Sequence, residues 1–389
     1  MRDDRRVIAV VNKTIFFFDN QKFCIIFAKS GNNKNSEPIA AISNSPTMKI
    51  IIDDKIPYIQ EALHGMEIET VYKGGAAICA ADVKDADAMI VRTRTQCNEQ
   101  LLADSKVQFI ATATIGFDHI DTAYLERRGI AWTNCPGCNA SSVAQYVRSV
   151  LLLFSADYGL NLTGATLGVV GCGHVGSLVK QVGAELGMRV LVCDPLVAEP
   201  DFVSMSEITQ QADVITFHVP LTHEGNYATW HMANETFFAS LARRPFIINS
   251  SRGGVVDEQA LHKALDSGTI RQAVIDTWEN EPRIDLALLN KVYIGTPHIA
   301  GYSADGKANA TNMSVSALCR HFGIAEPSPV APPALPSDFV YTGNPLELYN
   351  PLEDSLRLKQ NPSAFEQLRG DYPLRRESVF AQTHTICAK

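Results

Sequence analysis

The sequence has no excess of basic residues and no long basic run. It carries 34 lysines and arginines against 42 aspartates and glutamates, a formal net charge of −8. Because nucleic acids and anionic membranes are bound by clustered positive charge, this balance argues against both kinds of partner. A small anionic substrate would therefore have to be bound by a few local arginines.

The sequence also lacks a continuous apolar run of about 20 residues, the length that a membrane-spanning helix requires. Apolar runs at residues 7–11, 15–18 and 25–27 are broken by charged side chains, and they show neither the core nor the cleavage site of a secretory signal. Residues 31–38 have the composition of a linker, and a strand-like run begins at Met48. We expect residues 1–47 to be an extension outside the fold, with Met48 as the natural start.

A disulfide framework is not expected, although the sequence contains nine cysteines. An odd number of cysteines in a chain of this length indicates a reducing compartment, which predicts a cytoplasmic protein. Cys135 and Cys138 form a single C-x-x-C, without the second pair or the closely spaced histidines of a zinc site, so no metal is expected. The pair is interpreted as a Pro-Gly turn leading into a helix, with a redox pair as the alternative.

From Met48 onward, apolar β-rich runs alternate with helical segments, which is typical of parallel sheets covered by helices on both faces. The fold predicted is α/β, with two doubly wound parallel-sheet (Rossmann-like) domains flanking a cleft and a small C-terminal segment. The predicted strands fall into two sets: residues 50–53, 88–93, 107–114 and 130–133, and residues 166–171, 189–194, 214–219, 246–249, 273–277 and 291–295.

A long helix predicted over residues 141–154, with Asn139, Ser141 or Ser142 as its cap, separates the two sets. We expect residues 48–141 to form a substrate-binding domain that is completed by about 303–326, and residues 142–302 to form an NAD-binding domain. Residues 327–389 begin with a proline-rich linker and continue with helical patches at 352–358 and 364–368. Roughly sixty residues bury little apolar surface alone, so this segment should pack on another surface.

A glycine-rich motif follows the first strand of the second set. Gly171, Gly173 and Gly176 form G-x-G-x-x-G, the helix predicted over 175–186 follows, and the next strand ends in Asp194, 18 residues after Gly176. In this context the glycines allow a tight turn, close approach of a pyrophosphate and close helix packing. An acidic residue at this point binds the adenosine ribose and repels a 2′-phosphate. The motif predicts NAD rather than NADP as the cofactor.

Polar residues follow three later strands of the same domain: Arg252, then Asp276 and Glu281, then His298. Since ligands of doubly wound sheets bind beyond the carboxyl ends of the strands, these side chains should converge on one crevice. An arginine can hold a substrate carboxylate in a bidentate pair, and a histidine oriented by a carboxylate can accept a hydroxyl proton. The combination predicts the oxidation of a 2-hydroxy acid.

With these motifs in this order, the chain resembles the D-isomer-specific 2-hydroxyacid dehydrogenases. The resemblance is carried by the glycine-rich loop with Asp194, by Ser251-Arg252-Gly253, by Glu281-Pro282 and by Pro297-His298. Residues 111–121, 136–140, 216–220 and 298–307 are similar to members that act in pyridoxal 5′-phosphate (vitamin B6) biosynthesis. The implied reaction is the oxidation of 4-phospho-D-erythronate to 2-oxo-3-hydroxy-4-phosphobutanoate with NAD, by a homodimer paired through its C-terminal domain. The end of this chain is shorter than the family pattern.

The resemblance also implies roles for individual residues. Val219 stands where related enzymes often carry threonine, so a backbone contact would survive there and a hydroxyl contact would not. The implied catalytic residues are Arg252, Glu281 and His298; the implied substrate contacts are Thr93, Thr114 and Tyr302; and the implied NAD contacts are Gly171, Gly173, His174, Val175, Gly176, Asp194, Val219, Ser250, Ser251, Asp276 and Gly301.

Two further arginines lie at the end of a first-domain strand. Arg92 and Arg94 alternate with Thr93, so a strand would place both guanidinium groups on one side, as a fork for a phosphate. The alternative is that one or both are solvated surface arginines.

Two other functions stay open at this point. The first is a phosphoglycerate or other D-2-hydroxyacid dehydrogenase, although the C-terminal segment lacks the βαββαβ pattern of a small regulatory domain. The second, from a different class, is a noncatalytic NAD-sensing scaffold with the same fold, which could retain the catalytic residues.

Overall fold

The computed structural model describes residues 7–11, 14–19, 22–27 and 47–378, and the chain divides into two units, Met1–Pro46 and Thr47–Lys389. The first unit contains an antiparallel sheet of three strands, in which β2 lies between β1 and β3. The linker expected at 31–38 lies outside the described residues. The strands are β1 (Val7–Val11), β2 (Thr14–Asp19) and β3 (Lys22–Phe27).

The second unit begins with a parallel five-stranded sheet in the order β5-β4-β6-β7-β8. Helices cover both faces of this sheet. Alternate residues of the central strands therefore pack in two separate cores, Ile51 in one and Ile50 and Ile52 in the other. The elements are β4 (Lys49–Asp53), α1 (Ile59–Ala62), β5 (Glu69–Lys73), α2 (Ala80–Val83), β6 (Ala88–Val91), α3 (Glu99–Leu102), β7 (Phe109–Thr112), α4 (Thr122–Arg128) and β8 (Ala131–Thr133), with a 3-10 turn at Gly75–Ala77.

Strand β5 was absent from the sequence prediction. It is the edge strand of the sheet, and its residues are exposed or only partly buried. An edge strand needs no continuous apolar run, so the signal that identified the buried central strands is missing there.

A six-stranded parallel sheet follows in the order β10-β9-β11-β12-β13-β14. The chain passes from β9 to β10 on one side and then to β11 on the other, so the topological switch point lies between β9 and β11. Its elements are β9 (Thr166–Val170), α6 (His174–Glu185), β10 (Arg189–Cys193), α7 (Met205–Gln211), β11 (Val214–Phe217), α8 (Glu235–Ala239), β12 (Phe246–Asn249), α9 (Glu258–Asp266), β13 (Gln272–Ile275), α10 (Leu286–Lys291) and β14 (Ile294–Gly295).

Two long helices join the sheets. Helix α5 (Ala140–Tyr158) extends four residues beyond its predicted end and stops at Gly159, which has a left-handed conformation with φ of 65°. Its N-cap residue is Asn139, whose side chain makes no capping hydrogen bond. Helix α11 (Ala304–Phe322) returns to the first sheet, where Val315 and Leu318 pack in its core.

The C-terminal segment packs on the second sheet of its own chain. Leu358 and Phe365 are buried in that sheet's core, and the Gly295 amide donates to Ser355 Oγ at 3.0 Å. Both predicted helical patches are present, and residues 379–389 lie outside the described part. The elements are α12 (Pro345–Leu348), α13 (Pro351–Gln360), a 3-10 turn (Pro362–Ala364) and α14 (Phe365–Gly370).

Among the described residues, every helix is too short or too polar to cross a lipid bilayer.

Candidate active site

A cavity of about 320 Å³ lies where the carboxyl ends of the two parallel sheets meet helix α11. It brings together most of the residues that the sequence predicts for catalysis and substrate binding, from segments as far apart as residues 92 and 302. The predicted residues that line it are Arg92, Thr93, Thr114, Arg252, His298, Gly301 and Tyr302. Arg94 and Glu281 line a neighbouring cleft that shares Arg92, Thr93 and Tyr302 with the cavity.

His298 and Glu281 form a hydrogen-bonded pair at this site. Nδ1 of His298 lies 2.9 Å from Glu281 Oε2, and the other carboxylate oxygen accepts from the Trp278 amide at 2.9 Å. Burial opposes ionisation of Glu281, but the hydrogen bond with His298 and the charge of that ring hold the glutamate pKa below its usual value. The carboxylate is therefore ionised at neutral pH, and the imidazole Nε2 is the ring nitrogen available to a substrate in the cavity.

The backbone beneath His298 is held by Asp276. His298 has a φ of 56°, in the left-handed region that non-glycine residues seldom adopt. Its amide donates to the Asp276 carbonyl at 2.8 Å, and the next two amides, of Ile299 and Ala300, donate to the Asp276 carboxylate at 2.8 and 3.1 Å. A third donor to the carboxylate, Thr296 Oγ1, lies 2.6 Å from Asp276 Oδ1.

Asp276 itself is only 1% exposed. Burial raises the pKa of this carboxyl, although the charge of His298 and the three hydrogen bonds to its oxygens oppose the shift. The sequence predicts a contact between Asp276 and NAD, but the structure places the carboxylate beneath the loop, where both of its oxygens accept hydrogen bonds from the chain. That contact stays a prediction.

Arg252 is positioned by a loop that folds back on the end of β12. The Asn249 side chain accepts from the Ser251 amide at 3.2 Å and from its hydroxyl at 2.8 Å, and donates to the Arg252 carbonyl at 3.0 Å. The next residue must be glycine, because a Cβ on Gly253 would lie 1.9 Å from the Trp278 carbonyl oxygen. Ser250 and Ser251, both predicted to contact NAD, are buried in this loop.

The glycine-rich loop has the geometry that a dinucleotide requires. Gly171 has a φ of 89°, and a Cβ on Gly176 would lie 1.9 Å from the Gly171 carbonyl oxygen. A Cβ on Gly173 would meet only open space, so the loop leaves room for a pyrophosphate at the start of α6. His174 and Val175 are the first two residues of that helix. The loop therefore fits NAD.

A groove of about 1070 Å³ runs from the glycine-rich loop past Asp194. The Asp194 carboxylate accepts from the Cys172 amide at 2.8 Å and from the Leu196 amide at 3.1 Å, which fixes its charge at the groove wall. Val219 also lines the groove, beside His218. Burial lowers the pKa of His218 to about 3, so this ring is neutral and adds no positive charge.

The first domain contributes Thr114 and the two arginines. Thr114 Oγ1 donates to the Gly116 carbonyl at 2.8 Å. The guanidinium groups of Arg92 and Arg94 bind different partners: Arg92 Nη1 donates to the Lys55 carbonyl at 2.7 Å, whereas Arg94 is 72% exposed and lies 3.4 Å from Glu366. The arrangement differs from the fork predicted from strand alternation, because the described β6 ends at Val91 and the alternation stops before both arginines.

Two cationic residues that sequence reasoning missed also line the cavity. Lys307 lies in the first turns of α11, and Arg369 lies on α14 of the C-terminal segment. Lys307 falls within the 298–307 stretch that carries the family resemblance, so a signal for it was present. Arg369 carries no local signal, because only packing of the C-terminal segment places it here.

The C-x-x-C pair forms part of the turn that precedes α5. Cys135 and Cys138 are free and buried, and burial raises the pKa of both thiols, that of Cys135 to about 11. Protonated, buried thiols favour the turn interpretation over a redox pair.

One group of residue types that bind metals was not predicted. His231, Asp257 and Glu279 offer ligand atoms within 4.8 Å of one another. These side chains already have partners within the chain: His231 Nε2 lies 3.0 Å from Glu279 Oε1, His231 Nδ1 lies 3.6 Å from Asp257 Oδ2, and Asp257 Oδ1 caps α9 through the amides of Gln259 and Ala260. Its contacts thus link His231 to Glu279 and to the start of α9.

Known proteins similar to this chain are NAD-binding dehydrogenases, in agreement with the glycine-rich loop and the cavity described above. Residues 144–300 match the family described as "D-isomer specific 2-hydroxyacid dehydrogenase, NAD binding domain". Among solved structures, a D-lactate dehydrogenase from Aquifex aeolicus complexed with NAD and lactic acid is 27% identical, with a TM-score of 0.58, covering 71% of this chain and 96% of that one. An NAD-bound 3-phosphoglycerate dehydrogenase from Entamoeba histolytica is 26% identical, with a TM-score of 0.59 and the same coverage.

Relatives with higher identity carry one common name. Erythronate-4-phosphate dehydrogenase of Bacteroides thetaiotaomicron is 53% identical over 338 residues, covering 85% of this chain and 97% of the relative. The protein of that name from Porphyromonas gingivalis is 41% identical over 346 residues, covering 85% and 94%. The chain therefore belongs to the erythronate-4-phosphate dehydrogenase family of D-isomer-specific 2-hydroxyacid dehydrogenases.

Proposed function

We propose that this chain oxidises 4-phospho-D-erythronate to 2-oxo-3-hydroxy-4-phosphobutanoate with NAD, as a step in pyridoxal 5′-phosphate biosynthesis. The observation that carries the proposal is the cavity itself: Arg252 and His298 line it, His298 is hydrogen-bonded to Glu281, and the same domain carries a glycine-rich loop that fits NAD. The name shared by the relatives at 53% and 41% identity supports the choice of substrate.

Arg252 binds and orients the substrate in this mechanism. A guanidinium group can pair with the C1 carboxylate through two parallel hydrogen bonds, which fixes the C2 hydroxyl relative to the histidine. As C2 becomes a carbonyl, the same positive charge stabilises the negative charge that develops on its oxygen. Arg252 retains donors for this purpose, since the one hydrogen bond that its guanidinium group makes among the described residues joins Nη1 to the Ser251 carbonyl.

His298 removes the hydroxyl proton as the C2–H bond breaks. The proton passes to Nε2, and the ring becomes an imidazolium whose Nδ1–H bonds to the ionised Glu281. When bound, NAD supplies the acceptor for the hydride from C2, so the products are the 2-oxo acid, NADH and one proton. In the reverse direction, His298 returns the proton to the carbonyl oxygen.

The remaining predicted residues have supporting parts. We place Thr93, Thr114 and Tyr302 against the substrate, because all three line the cavity. Backbone contacts from Ser250, Ser251, Val219 and Gly301 are proposed for NAD, with Asp194 selecting it over NADP. For the domains, we propose a substrate-binding part at residues 48–141 and about 303–326, and an NAD-binding part at 142–302. Residues 1–47 are proposed as an extension outside this fold, and residues 327–389 as a linker followed by a C-terminal dimerisation domain.

The proposal is tested by assaying the purified chain with NAD, regenerated by a 2-oxo acid, against 4-phospho-D-erythronate, 3-phospho-D-glycerate and D-lactate. We expect turnover to be fastest with 4-phospho-D-erythronate. Preference for 3-phospho-D-glycerate would instead identify a phosphoglycerate dehydrogenase. Absence of turnover with every 2-hydroxy acid, together with retained NAD binding, would favour the noncatalytic scaffold.

We further propose that the chain forms a cytoplasmic homodimer. Exposed leucines on the C-terminal segment, Leu356 and Leu374, support pairing through that segment, and the free cysteines among the described residues support a reducing compartment. Light scattering on the purified chain should give twice the mass of one chain, and a monomer at micromolar concentration would contradict the dimer. Cell fractionation tests the compartment.

A further inference from the structure

The active-site cavity contains more positive charge than one substrate carboxylate requires. Besides His298, its lining includes one acidic side chain, Asp118, and four lysine or arginine side chains, Arg92, Arg252, Lys307 and Arg369. Arg252 is accounted for by the carboxylate end of a 2-hydroxy acid. The other three cations call for a second anionic group on the same ligand.

Lys307 shows most clearly that the chain leaves this charge uncompensated. Within residues 47–378 it forms no salt bridge, and its Nζ lies near aromatic faces, 5.4 Å from the Tyr302 ring centre and 5.9 Å from that of Tyr372. Burial and the nearby charge of Arg92 both lower the pKa of the lysine. A partly buried cation close to another cation is stabilised when an anion binds between them.

Arg369 approaches the same ring from the C-terminal segment. Its Cζ lies 5.7 Å from the Tyr302 ring centre, and Nη1 donates to Glu366 at 3.2 Å. The buried Nε has no hydrogen-bond partner among the described residues, so part of the guanidinium fork is unused. Helix α14 is anchored by Phe365, which is buried in the core of the second sheet, so the arginine is held in place before a ligand binds.

We propose that Lys307 and Arg369, together with Arg92, bind the 4-phosphate of the substrate and so select the phosphorylated four-carbon acid. The inference rests on the proposed function. A phosphate ester carries nearly two negative charges and three acceptor oxygens, which suits several convergent cations better than one. Arg94 and Arg369 both pair with Glu366, but the Arg94 side chain is 72% exposed, whereas that of Arg369 is 23% exposed.

The C-terminal segment therefore contributes a specificity-determining residue to the site, in addition to any role in pairing subunits. A 2-hydroxyacid dehydrogenase without such a segment would have no counterpart of Arg369. The same catalytic pair and carboxylate-binding arginine could then serve unphosphorylated acids, whereas this chain places a second anion site at the far end of the substrate.

The variants Lys307→Met and Arg369→Met test the subsite, because methionine retains the length and apolar character of the stem. Each should lower kcat/KM for 4-phospho-D-erythronate about 10- to 100-fold, as expected for loss of a charge-assisted hydrogen bond. Their kcat/KM for unphosphorylated D-erythronate and their affinity for NAD should stay within about twofold of the unmodified chain. Lys307→Arg, which keeps the charge, should recover part of the loss.

Matched controls are Lys263→Met and Arg243→Met, which remove exposed cations of the second domain, each paired with its own carboxylate. Neither should change the ratio of the two substrates' kcat/KM values. Thermal unfolding monitored by circular dichroism checks that each variant is folded. If Lys307→Met and Arg369→Met keep the full preference for the phosphorylated substrate, the subsite proposal is wrong, although the proposed reaction stands.

Direct measurement of phosphate binding distinguishes a failure of the proposed reaction from a failure of the proposed subsite. Inorganic phosphate should bind the NAD-loaded chain in calorimetry, and Lys307→Met should weaken that binding at least about tenfold. If the unmodified chain does not oxidise 4-phospho-D-erythronate but shows this binding difference, the subsite stands and the proposed substrate falls. Equal phosphate binding by the variant and the unmodified chain would overturn the subsite.

Discussion

The backbone amide of His298 donates to the carbonyl oxygen of Asp276 at 2.8 Å, which joins the loop after β14 to the end of β13. The Asp276 carboxylate then holds the two amides that follow His298. The candidate acid–base residue is thus set in a left-handed backbone conformation by a buried carboxylate that lines neither the cavity nor the cofactor groove. Asp276 thus fixes the position of the His298 backbone, whereas His298 is the residue proposed to transfer the proton.

Removing the histidine should separate chemistry from cofactor binding. We expect His298→Ala to lower kcat by about 10²- to 10⁴-fold, the usual range for loss of a general acid–base group. NAD affinity, measured by fluorescence titration, should change little, because the glycine-rich loop and Asp194 are untouched. Loss of NAD binding in this variant would show that His298 has a different role.

Glu281→Gln should give a smaller loss, because the amide can still accept a hydrogen bond from Nδ1 but carries no charge. We expect kcat to fall about 10- to 100-fold with little change in the KM for NAD. A normal kcat would show that the imidazolium does not need the glutamate. Glu235→Gln, at an exposed salt bridge with Lys263, is the matched control and should leave kcat unchanged.

Asp276→Ala should destabilise the fold, since it leaves the amides of Ile299 and Ala300 and the Thr296 hydroxyl without their acceptor. We expect the free energy of unfolding to fall by about 2–4 kcal/mol, measured by chemical denaturation. Asp266→Ala, which removes an exposed partner of Lys291, should cost at most about 0.5 kcal/mol. If Asp276→Ala weakens NAD binding without loss of stability, the predicted contact with NAD is correct instead.

Asp194→Ala should relax the choice of cofactor. The variant loses both the acceptor for a ribose diol and the negative charge that repels a 2′-phosphate. We expect the ratio of kcat/KM for NAD to that for NADP to fall by about tenfold or more. An unchanged ratio would mean that another residue of the groove makes the distinction.

Glu258 should make stability depend on pH. Burial raises its pKa to about 7 from an ordinary value of 4.5, even though the carboxylate accepts from the Glu279 amide at 2.8 Å. The folded chain therefore favours the protonated acid, and the stabilisation present below pH 4.5 is lost as the pH rises through 7.

Glu258→Gln removes this dependence. At pH 8 we expect the variant to be more stable than the unmodified chain by about 1–2 kcal/mol, and the difference should shrink towards pH 4.5. Denaturant titrations at several pH values measure it. The exposed Glu67→Gln serves as the control and should show no such trend, and a trend of the opposite sign for Glu258→Gln would contradict the assignment.

Much of the fold and the centre of the site could be predicted because their signals are local. Central strands such as β9 and β12 are buried on both faces, so each is a short apolar run. The glycine-rich loop needs particular residues at fixed spacing, and polar residues after parallel strands meet at one edge of a sheet. These features place Arg252 and His298 near the cofactor loop without any knowledge of packing.

Other features depended on partners distant in the chain. The edge strand β5 has no apolar run of its own, and Arg94 pairs with Glu366, 272 residues away, instead of joining Arg92 in a fork. The buried position of Asp276 depends on how the loop after β14 folds over it. Such pairings follow from long-range packing, which residue spacing does not encode.

The sequence by itself determined the parallel α/β architecture, the dinucleotide loop and the identity of the candidate catalytic residues, since each depends on local conformational and chemical requirements. Only the tertiary structure decided which cations share the cavity. Lys307 reaches it from the helix that returns to the first sheet, and Arg369 from a segment docked on the second. Burial of apolar side chains such as Phe365 fixes the position of each helix. The charged side chains on these helices are thereby brought to the same cavity.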